Sequence, residues 1–219
     1  MNTLEDRLTA FVVHGSAVTG FIPGFSDFDF VVFARGELTV ADAFEIQRAL
    51  SAFDAAPFSY VQLSRLVDVD DPLERRNGLI EGAYIIVHGA LPADWSLHSP
   101  ELLRERGREA IHRIPPEVQR LRKDWAVANE PQRRGLVRYL ATVLKPAVRG
   151  LLCELGDPVL DVWRAPYPGL AQRLGAHDPV LGERLTALVA LLPPSLRTEE
   201  DVTRRLFSLL EAVHVSGVA

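Results

Sequence analysis

The sequence predicts an α/β (α+β) chain, in which an N-terminal lobe with a small mixed sheet precedes an all-α helical bundle. Three observations support this prediction. Strand-like and helix-like segments alternate up to about residue 90, and the segment Ala90–Pro100, with two prolines and several polar residues, is typical of a linker. Beyond the linker only helical patterns recur, and prolines interrupt them. We therefore expect two domains, residues 1–90 and 99–219.

Four segments of the first lobe are rich in the β-branched and aromatic residues that favour strands. The predicted strands are Ala10–His14, Asp27–Phe33, Phe58–Leu63 and Ala83–Val87. A stretch rich in glycine, proline and serine separates the first two strands, which predicts a loop there.

Two helices are expected between these strands. Thr39 and Asp42 have the spacing of a capping box, which predicts a helix running to about Phe53. The segment Asp71–Glu74 combines a capping aspartate with an early proline and glutamate, so it predicts a second helix that ends at Gly82. The apolar stripe of the first of these helices consists of Ala43, Ile46, Leu50 and Phe53.

The second half predicts four or five helices of ordinary length, the first beginning at Ser99. Proline ends or opens each of them, because its ring cannot continue the hydrogen-bond pattern of a helix. The expected breaks are Pro115-Pro116, Pro131, Asp157-Pro158, Pro166, Asp178-Pro179 and Pro193-Pro194.

Composition excludes several classes of protein. With 47% hydrophobic and 24% charged residues the chain can bury a core and is not disordered. It contains no apolar run of about 18 residues, so no membrane span is predicted. Its start, Met1–Arg7, is acidic where a signal peptide is basic, and Cys153 is the single cysteine, so we expect a cytoplasmic protein.

The net charge of −5 is unevenly distributed. Residues 1–99 carry 6 basic and 14 acidic side chains, whereas residues 100–219 carry 18 and 15. A general nucleic-acid binder would be basic overall, so this distribution disfavours nucleic acid as a partner. It favours instead two lobes that share a polar ligand, although a chance difference between the lobes explains it equally well. The sequence does not indicate the oligomeric state.

The segment with the clearest chemical meaning contains two aspartates separated by one residue, Asp27 and Asp29. Alternate residues of a strand point to the same face, so their carboxylates lie close together and repel each other unless a proton or a cation intervenes. Their neighbours are apolar, which indicates a central strand. A Mg²⁺ ion suits such a pair, because magnesium takes oxygen ligands from one or two carboxylates and from substrate phosphates.

A second feature precedes the aspartates. Gly15 and Ser16 follow the first predicted strand, where a glycine permits a sharp turn and the close approach of a ligand. Backbone N–H groups and a hydroxyl at such a turn can hold phosphate oxygens. Either feature alone is common in turns and on exposed strands. In this order and flanked by strands, the two features indicate displacement at a nucleotide phosphorus.

The segment from Gly15 to Asp29 resembles the signature of the DNA polymerase β-like nucleotidyltransferase superfamily. Within it, the motif is most similar to that of bacterial aminoglycoside adenylyltransferases of the streptomycin/spectinomycin type. The resemblance implies a nucleotidyltransferase lobe, ATP as donor, Mg²⁺ and a small-molecule acceptor. It also implies that Asp27 and Asp29 bind metal and that Gly15 and Ser16 contact phosphate. Ser26, the serine before the acids, is expected to bind the triphosphate together with Gly15 and Ser16.

The family normally has a third carboxylate on the next strand, a metal ligand or, in the aminoglycoside enzymes, the base. The predicted strand Phe58–Leu63 contains no acid, and Ser59 stands near the expected position. Three alternatives follow: a base from the neighbouring loops, a base from the helical half, or nucleotide binding with lost or weak transfer. A fourth possibility is the nucleotidyltransferase of a toxin–antitoxin pair. The candidate bases are Asp54, Asp68, Asp70, Asp71, Glu101, Glu105 and Glu109.

Two further residues are of interest. His14, beside Gly15, is expected to be a packed and hydrogen-bonded imidazole rather than a phosphate ligand. Trp95, in the predicted linker, is expected either to hold the linker in place or to stack on a ligand ring.

Overall fold

The computed structural model describes residues 4–37, 39–71, 74, 78–191 and 199–218. The chain divides into two compact units, Met1–His98 and Ser99–Ala219. The helices and strands of the first unit are α1 (Leu4–Arg7), β1 (Leu8–His14), α2 (Ser16–Thr19), β2 (Phe28–Ala34), α3 (Val40–Ala52), β3 (Val61–Asp68) and β4 (Tyr84–Gly89).

The four strands form one mixed sheet in the order β3-β2-β1-β4. Strand β1 is antiparallel to both β2 and β4, whereas β2 and β3 are parallel and α3 lies in the connection between them. The mixed sheet followed by a helical region confirms the predicted fold class. Both faces of the sheet bury apolar side chains, one around Val12, Val31 and Phe33 and the other around Val13 and Phe30.

Helix α3 begins with the predicted capping box: the Thr39 side chain accepts from Asp42 N–H, and the Asp42 carboxylate accepts from Thr39 N–H at 2.7 Å. The predicted stripe is only partly buried, since Ile46 and Leu50 are half-buried whereas Ala43 and Phe53 are exposed. The reason is that the helix contacts the rest of the unit near each of its two ends. Leu50 packs on the sheet, while the buried Asp42 pairs with Arg7 at the other end of the helix.

The third strand begins three residues later than predicted, at Val61 instead of Phe58. The preceding residues form a turn that binds the loop before β2. In this turn Gly24 N–H donates to Pro57 O at 2.8 Å and Ser59 N–H donates to Ser26 O at 2.9 Å. Backbone groups used in this way are not part of the strand ladder, which explains the shift.

The helix predicted from Asp71 to Gly82 is wrong over its second half. Residues 72, 73 and 75–77 lie outside the described part, but Gly78–Ile80 is not helical. This segment runs beside Ser96–His98, where His98 N–H donates to Leu79 O at 2.9 Å. A Cβ at Gly78 would collide with that neighbouring backbone, so a tertiary contact overrides the helical pattern.

The described part of the second unit contains seven helices, more than the four or five predicted. The additional helices arise because Pro158, Pro166 and Pro179 separate short segments into helices of their own. The predicted break at Pro193-Pro194 lies outside the described residues. The helices are α4 (Pro100–His112), α5 (Ile114–Val127), α6 (Glu130–Glu154), α7 (Val159–Arg164), α8 (Tyr167–His177), α9 (Pro179–Val189) and α10 (Glu199–Val218).

Two glycines allow α4 and α6 to cross closely. An added Cβ at Gly107 would lie 2.5 Å from the Cα of Gly150, so no side chain fits at this crossing. Within the described ranges, no helix is both long and apolar enough to cross a membrane.

Candidate functional site

The first part of the candidate site is the turn that follows β1. Gly15 has a φ of 70° and a ψ of −143°, a backbone conformation that residues with a Cβ rarely adopt. The one-turn helix α2 starts directly after it. Thr19 N–H donates to Gly15 O at 3.0 Å, and the Ser16 hydroxyl donates to Asp27 O at 3.3 Å. The turn is therefore tied to the segment that carries the aspartates.

The register of β1 and β2 brings Asp29 to this turn. Asp29 pairs with His14, the residue immediately before Gly15. A Cβ built on Gly15 would lie 2.8 Å from Asp29 Oδ2, closer than real Cβ contacts allow. The carboxylate thus occupies space that only a glycine leaves open. This short distance is a second reason, besides the backbone angles, why position 15 requires glycine.

The two aspartates lie at the start of β2. Asp27 immediately precedes the strand and Asp29 is its second residue, the spacing that puts side chains on one face. Both are half-buried. The structure therefore brings together the residues predicted to bind phosphate, Gly15 and Ser16, and those predicted to bind metal, Asp27 and Asp29.

Ser26 differs from the expectation that it contacts the triphosphate. Its side chain is buried, with 5% of its surface exposed, and its hydroxyl accepts from Ile22 N–H at 2.9 Å. Ser26 N–H in turn donates to Ile22 O. These bonds give Ser26 a role in holding the loop before the aspartates.

Ser59 also differs from the expectation, because it lies in the turn before β3 and not on the strand. Its hydroxyl donates to Asp27 Oδ1 at 2.8 Å. On the strand itself, Gln62 is the register partner of Asp29, and the Ser64 hydroxyl lies 3.4 Å from Asp29 Oδ1. Gln62 and Ser64 are therefore the residues of β3 that face Asp29, and neither is an acid.

The acidic residues proposed from the neighbouring loops lie elsewhere in the sheet. Asp68 ends β3 opposite Ala34, five residues and roughly 16 Å along the strand from Asp29. There Asp68 accepts from Asp70 N–H, and Asp70 accepts from Gly36 N–H. These bonds give both carboxylates a structural role in the loops at that end. Asp71 follows in the same loop.

The remaining base candidates lie in the loop after α3 and on helix α4. Asp54 accepts from Ala56 N–H within the loop after α3. The glutamates named for the helical half lie on α4 of the second unit. They are Glu101, Glu105 and Glu109.

His14, which the sequence analysis predicts to be a packed imidazole, lies beside the candidate site. It lies between Tyr84 and Asp29 in a row of cross-strand partners. Its Nε2 is buried and has no hydrogen-bond partner within the described structure, so the expectation of a hydrogen-bonded imidazole is wrong at that atom. Burial lowers the pKa of His14 below its ordinary value, which keeps the ring neutral at pH 7.

Trp95 is part of the core of the first unit. Its ring meets Phe33 edge-on with centroids 4.7 Å apart. The structure thus supports the expectation that Trp95 holds the linker in place.

The donor set at the aspartates fits a magnesium ion carried by a nucleotide. Within the described residues, no three or more His, Cys, Asp or Glu side chains converge as a metal-binding group. Magnesium, however, is often held by only one or two carboxylates together with substrate phosphates. The Asp29 carboxylate lies directly against the Gly15 backbone, and both residues are half-buried, so the acid and the turn that would bind phosphate are neighbours.

Comparison with known proteins gives one informative result. By sequence, no family model and no curated protein matches the chain. Among solved structures, the chain is similar to a spectinomycin adenyltransferase from Enterococcus faecialis, crystallised with ATP and spectinomycin. The TM-score is 0.58 at 12% identity, over 99% of this chain and 94% of that one. The chain therefore has the same fold as that protein.

Proposed function

We propose that the chain is a Mg²⁺-dependent nucleotidyltransferase that moves a nucleoside monophosphate, AMP from ATP, to a hydroxyl of a small, aminoglycoside-like acceptor. The observation that carries the proposal is the contact between Gly15 and the Asp29 carboxylate, which places an acid against a strand-ending turn. The fold likeness to an enzyme crystallised with ATP and spectinomycin supports the same reaction class and both ligand types.

Each residue has a defined role in this proposal. Asp27 and Asp29 hold the metal, and the Gly15–Ser16 turn binds phosphate oxygens through its backbone N–H groups. Ser26 acts indirectly, by holding the loop that leads to the acids. Magnesium, when bound, neutralises charge on the phosphate oxygens and on the leaving pyrophosphate.

The reaction is a displacement at the α-phosphorus. The acceptor oxygen forms a bond to that phosphorus, the bond to the β-phosphate oxygen breaks, and pyrophosphate leaves with its electron pair. The proton of the acceptor hydroxyl passes to solvent. The proposal assigns no base, because Gln62 and Ser64 of β3 cannot take up a proton near neutral pH.

A second candidate function is a nucleotide-binding module with lost or weak transfer activity. The observation that favours it is the pairing of Asp29 with Gln62, where the related enzymes are expected to have an acid. Both functions require binding of ATP with magnesium, which stabilises the folded chain by mass action. Only the first function requires release of pyrophosphate.

The test is a pyrophosphate-release assay with ATP and GTP across a panel of small hydroxyl acceptors, in parallel with thermal shifts. Asp27→Asn and Asp29→Asn should abolish release and the magnesium-dependent shift. Glu45→Gln, which removes a charge from the exposed surface of the same unit, should change neither. A shift without release under any condition supports the binding module. If Asp27→Asn left release undiminished, the assignment of the metal site would be wrong.

A further inference from the structure

The Ser59 hydroxyl is closely surrounded by oxygen atoms that can accept its hydrogen. It lies 2.8 Å from Asp27 Oδ1, 3.1 Å from Phe25 O and 3.3 Å from Ser26 O. A hydroxyl has a single hydrogen, so it donates to one acceptor at a time. The carboxylate is both the nearest acceptor and the charged one, and charge-assisted bonds are shorter and stronger than neutral ones. Asp27 is therefore the main acceptor.

The backbone around Ser59 is held against the strand that carries Asp27. Ser59 N–H donates to Ser26 O at 2.9 Å, and Phe28 N–H donates to Tyr60 O at 3.0 Å. These bonds lie on either side of Asp27 in the sequence. Because they hold Ser59 in place relative to Asp27, the hydroxyl can act as a fixed donor.

The second aspartate is held differently. Its contact with a serine hydroxyl, from Ser64, is 3.4 Å long and exposed, so it contributes little. Asp29 is positioned mainly by its place in the β1–β2 ladder and by the Gly15 backbone. Asp27 immediately precedes the strand, and the Ser59 hydroxyl at 2.8 Å is a side-chain donor that can fix the plane of its carboxylate.

We propose that Ser59 is a positioning residue, which orients the Asp27 carboxylate for the metal–nucleotide complex. The inference rests on the proposed function, since it takes Asp27 to be a metal ligand. It assigns to Ser59 a role different from that of a substitute base. The hydroxyl fixes Oδ1 and thereby the plane of the carboxylate that would hold the metal.

The test measures binding and not turnover. Titration of the full chain with Mn²⁺ and a non-hydrolysable ATP analogue, followed by calorimetry, gives the affinity for the metal complex, and the analogue with EDTA gives the metal-free affinity. Ser59→Ala should weaken binding of the metal complex about tenfold, a typical loss for a hydrogen bond to a charged group. Metal-free binding should stay within about twofold of the unaltered chain.

Two other variants separate positioning from folding. Ser59→Thr keeps the hydroxyl and should restore most of the affinity. Ser59→Cys keeps the shape but has a weak donor, so it should show the loss seen with alanine even if the alanine variant folds poorly. Ser51→Ala, on the exposed face of α3, removes a hydroxyl away from the site and should have no effect.

The outcomes distinguish this inference from the proposed function. If the unaltered chain binds the metal complex and both Ser59→Ala and Ser59→Cys bind it equally well, the role of Ser59 is refuted and the proposed function stands. An equal loss of metal-bound and metal-free affinity also refutes it, since that indicates a disturbed loop. If the unaltered chain binds no metal–nucleotide complex, both the function and the role of Ser59 are refuted.

Discussion

Gly15→Ala is the substitution whose consequences follow most directly from the structure. Two costs arise at this position. Gly15 has a φ of +70°, and a residue with a Cβ held in such a conformation costs about 1–3 kcal/mol. In addition, the new Cβ would lie 2.8 Å from Asp29 Oδ2, whereas ordinary contacts begin at 3.4 Å. The carboxylate must therefore move by about 0.6 Å or the turn must open.

Gly36→Ala is the matched control. Gly36 also has a positive φ, +76°, but a Cβ there would meet nothing nearer than Arg7 Nη1 at 4.0 Å. Both variants should lose about 1–3 kcal/mol of stability, because both carry the backbone strain. For a unit of about a hundred residues, each kcal/mol lowers the melting temperature by about 4–8 °C. Only Gly15→Ala should also displace Asp29.

The assay combines thermal unfolding with calorimetric titration of magnesium and a non-hydrolysable ATP analogue. A misplacement of ~1 Å in a reacting group costs about a hundredfold, so a shift of Asp29 should weaken binding or turnover at least tenfold in Gly15→Ala. Gly36→Ala should bind normally at temperatures where it is folded. The reasoning is refuted if Gly15→Ala binds the metal–nucleotide complex as well as Gly36→Ala, because the contact with Asp29 would then not matter.

Three further predictions concern the sheet and the helices. Gln62→Glu installs a third carboxylate without changing the shape of the side chain, so the affinity for Mn²⁺ in titrations should rise about tenfold and pyrophosphate release should increase. An unchanged affinity would show that position 62 does not face the metal. The hydrogen bond from Arg7 holds the pKa of Asp42 at about 2, below the ordinary 3.8. The stability that this pair contributes is therefore complete above about pH 4 and lost as the pH falls through about 2. Urea unfolding of Asp42→Asn should lack this part of the pH dependence, and identical pH curves would contradict the assignment. Gly107→Ala should lower the free energy of unfolding in urea by about 1–3 kcal/mol, because its Cβ would lie 2.5 Å from the Cα of Gly150 and force α4 and α6 apart. An unchanged free energy of unfolding would mean that the two helices are packed less closely than described.

Short-range patterns in the sequence were sufficient for part of the local structure of the first unit. The Thr39–Asp42 capping box is confirmed, since it depends only on residues three apart. The strands around the candidate site, β1 and β2, lie within two residues of their predicted bounds. The assignment of Asp27 and Asp29 as metal ligands stays a prediction.

Elements that depend on distant backbone were predicted less well. The turn Pro57–Tyr60 binds residues more than thirty positions earlier in the chain, which delays the start of β3. The helix predicted up to Gly82 is wrong over its second half, because Gly78 lies against backbone near Ser96. Local propensity contains no information about such contacts, and tertiary packing overrides it where the two conflict.

From the sequence alone, the order of the four strands, the glycine at the turn and the spacing of the two acids could be read. Only the tertiary structure decided that Asp29 lies on Gly15, that Ser59 donates to Asp27 and that Gln62 faces Asp29. The contacts of Asp29 with Gly15 and Gln62 depend on strand register, and a slip of one residue would turn every side chain to the opposite face. Register is set by the packing of the whole sheet, so no short motif can specify it.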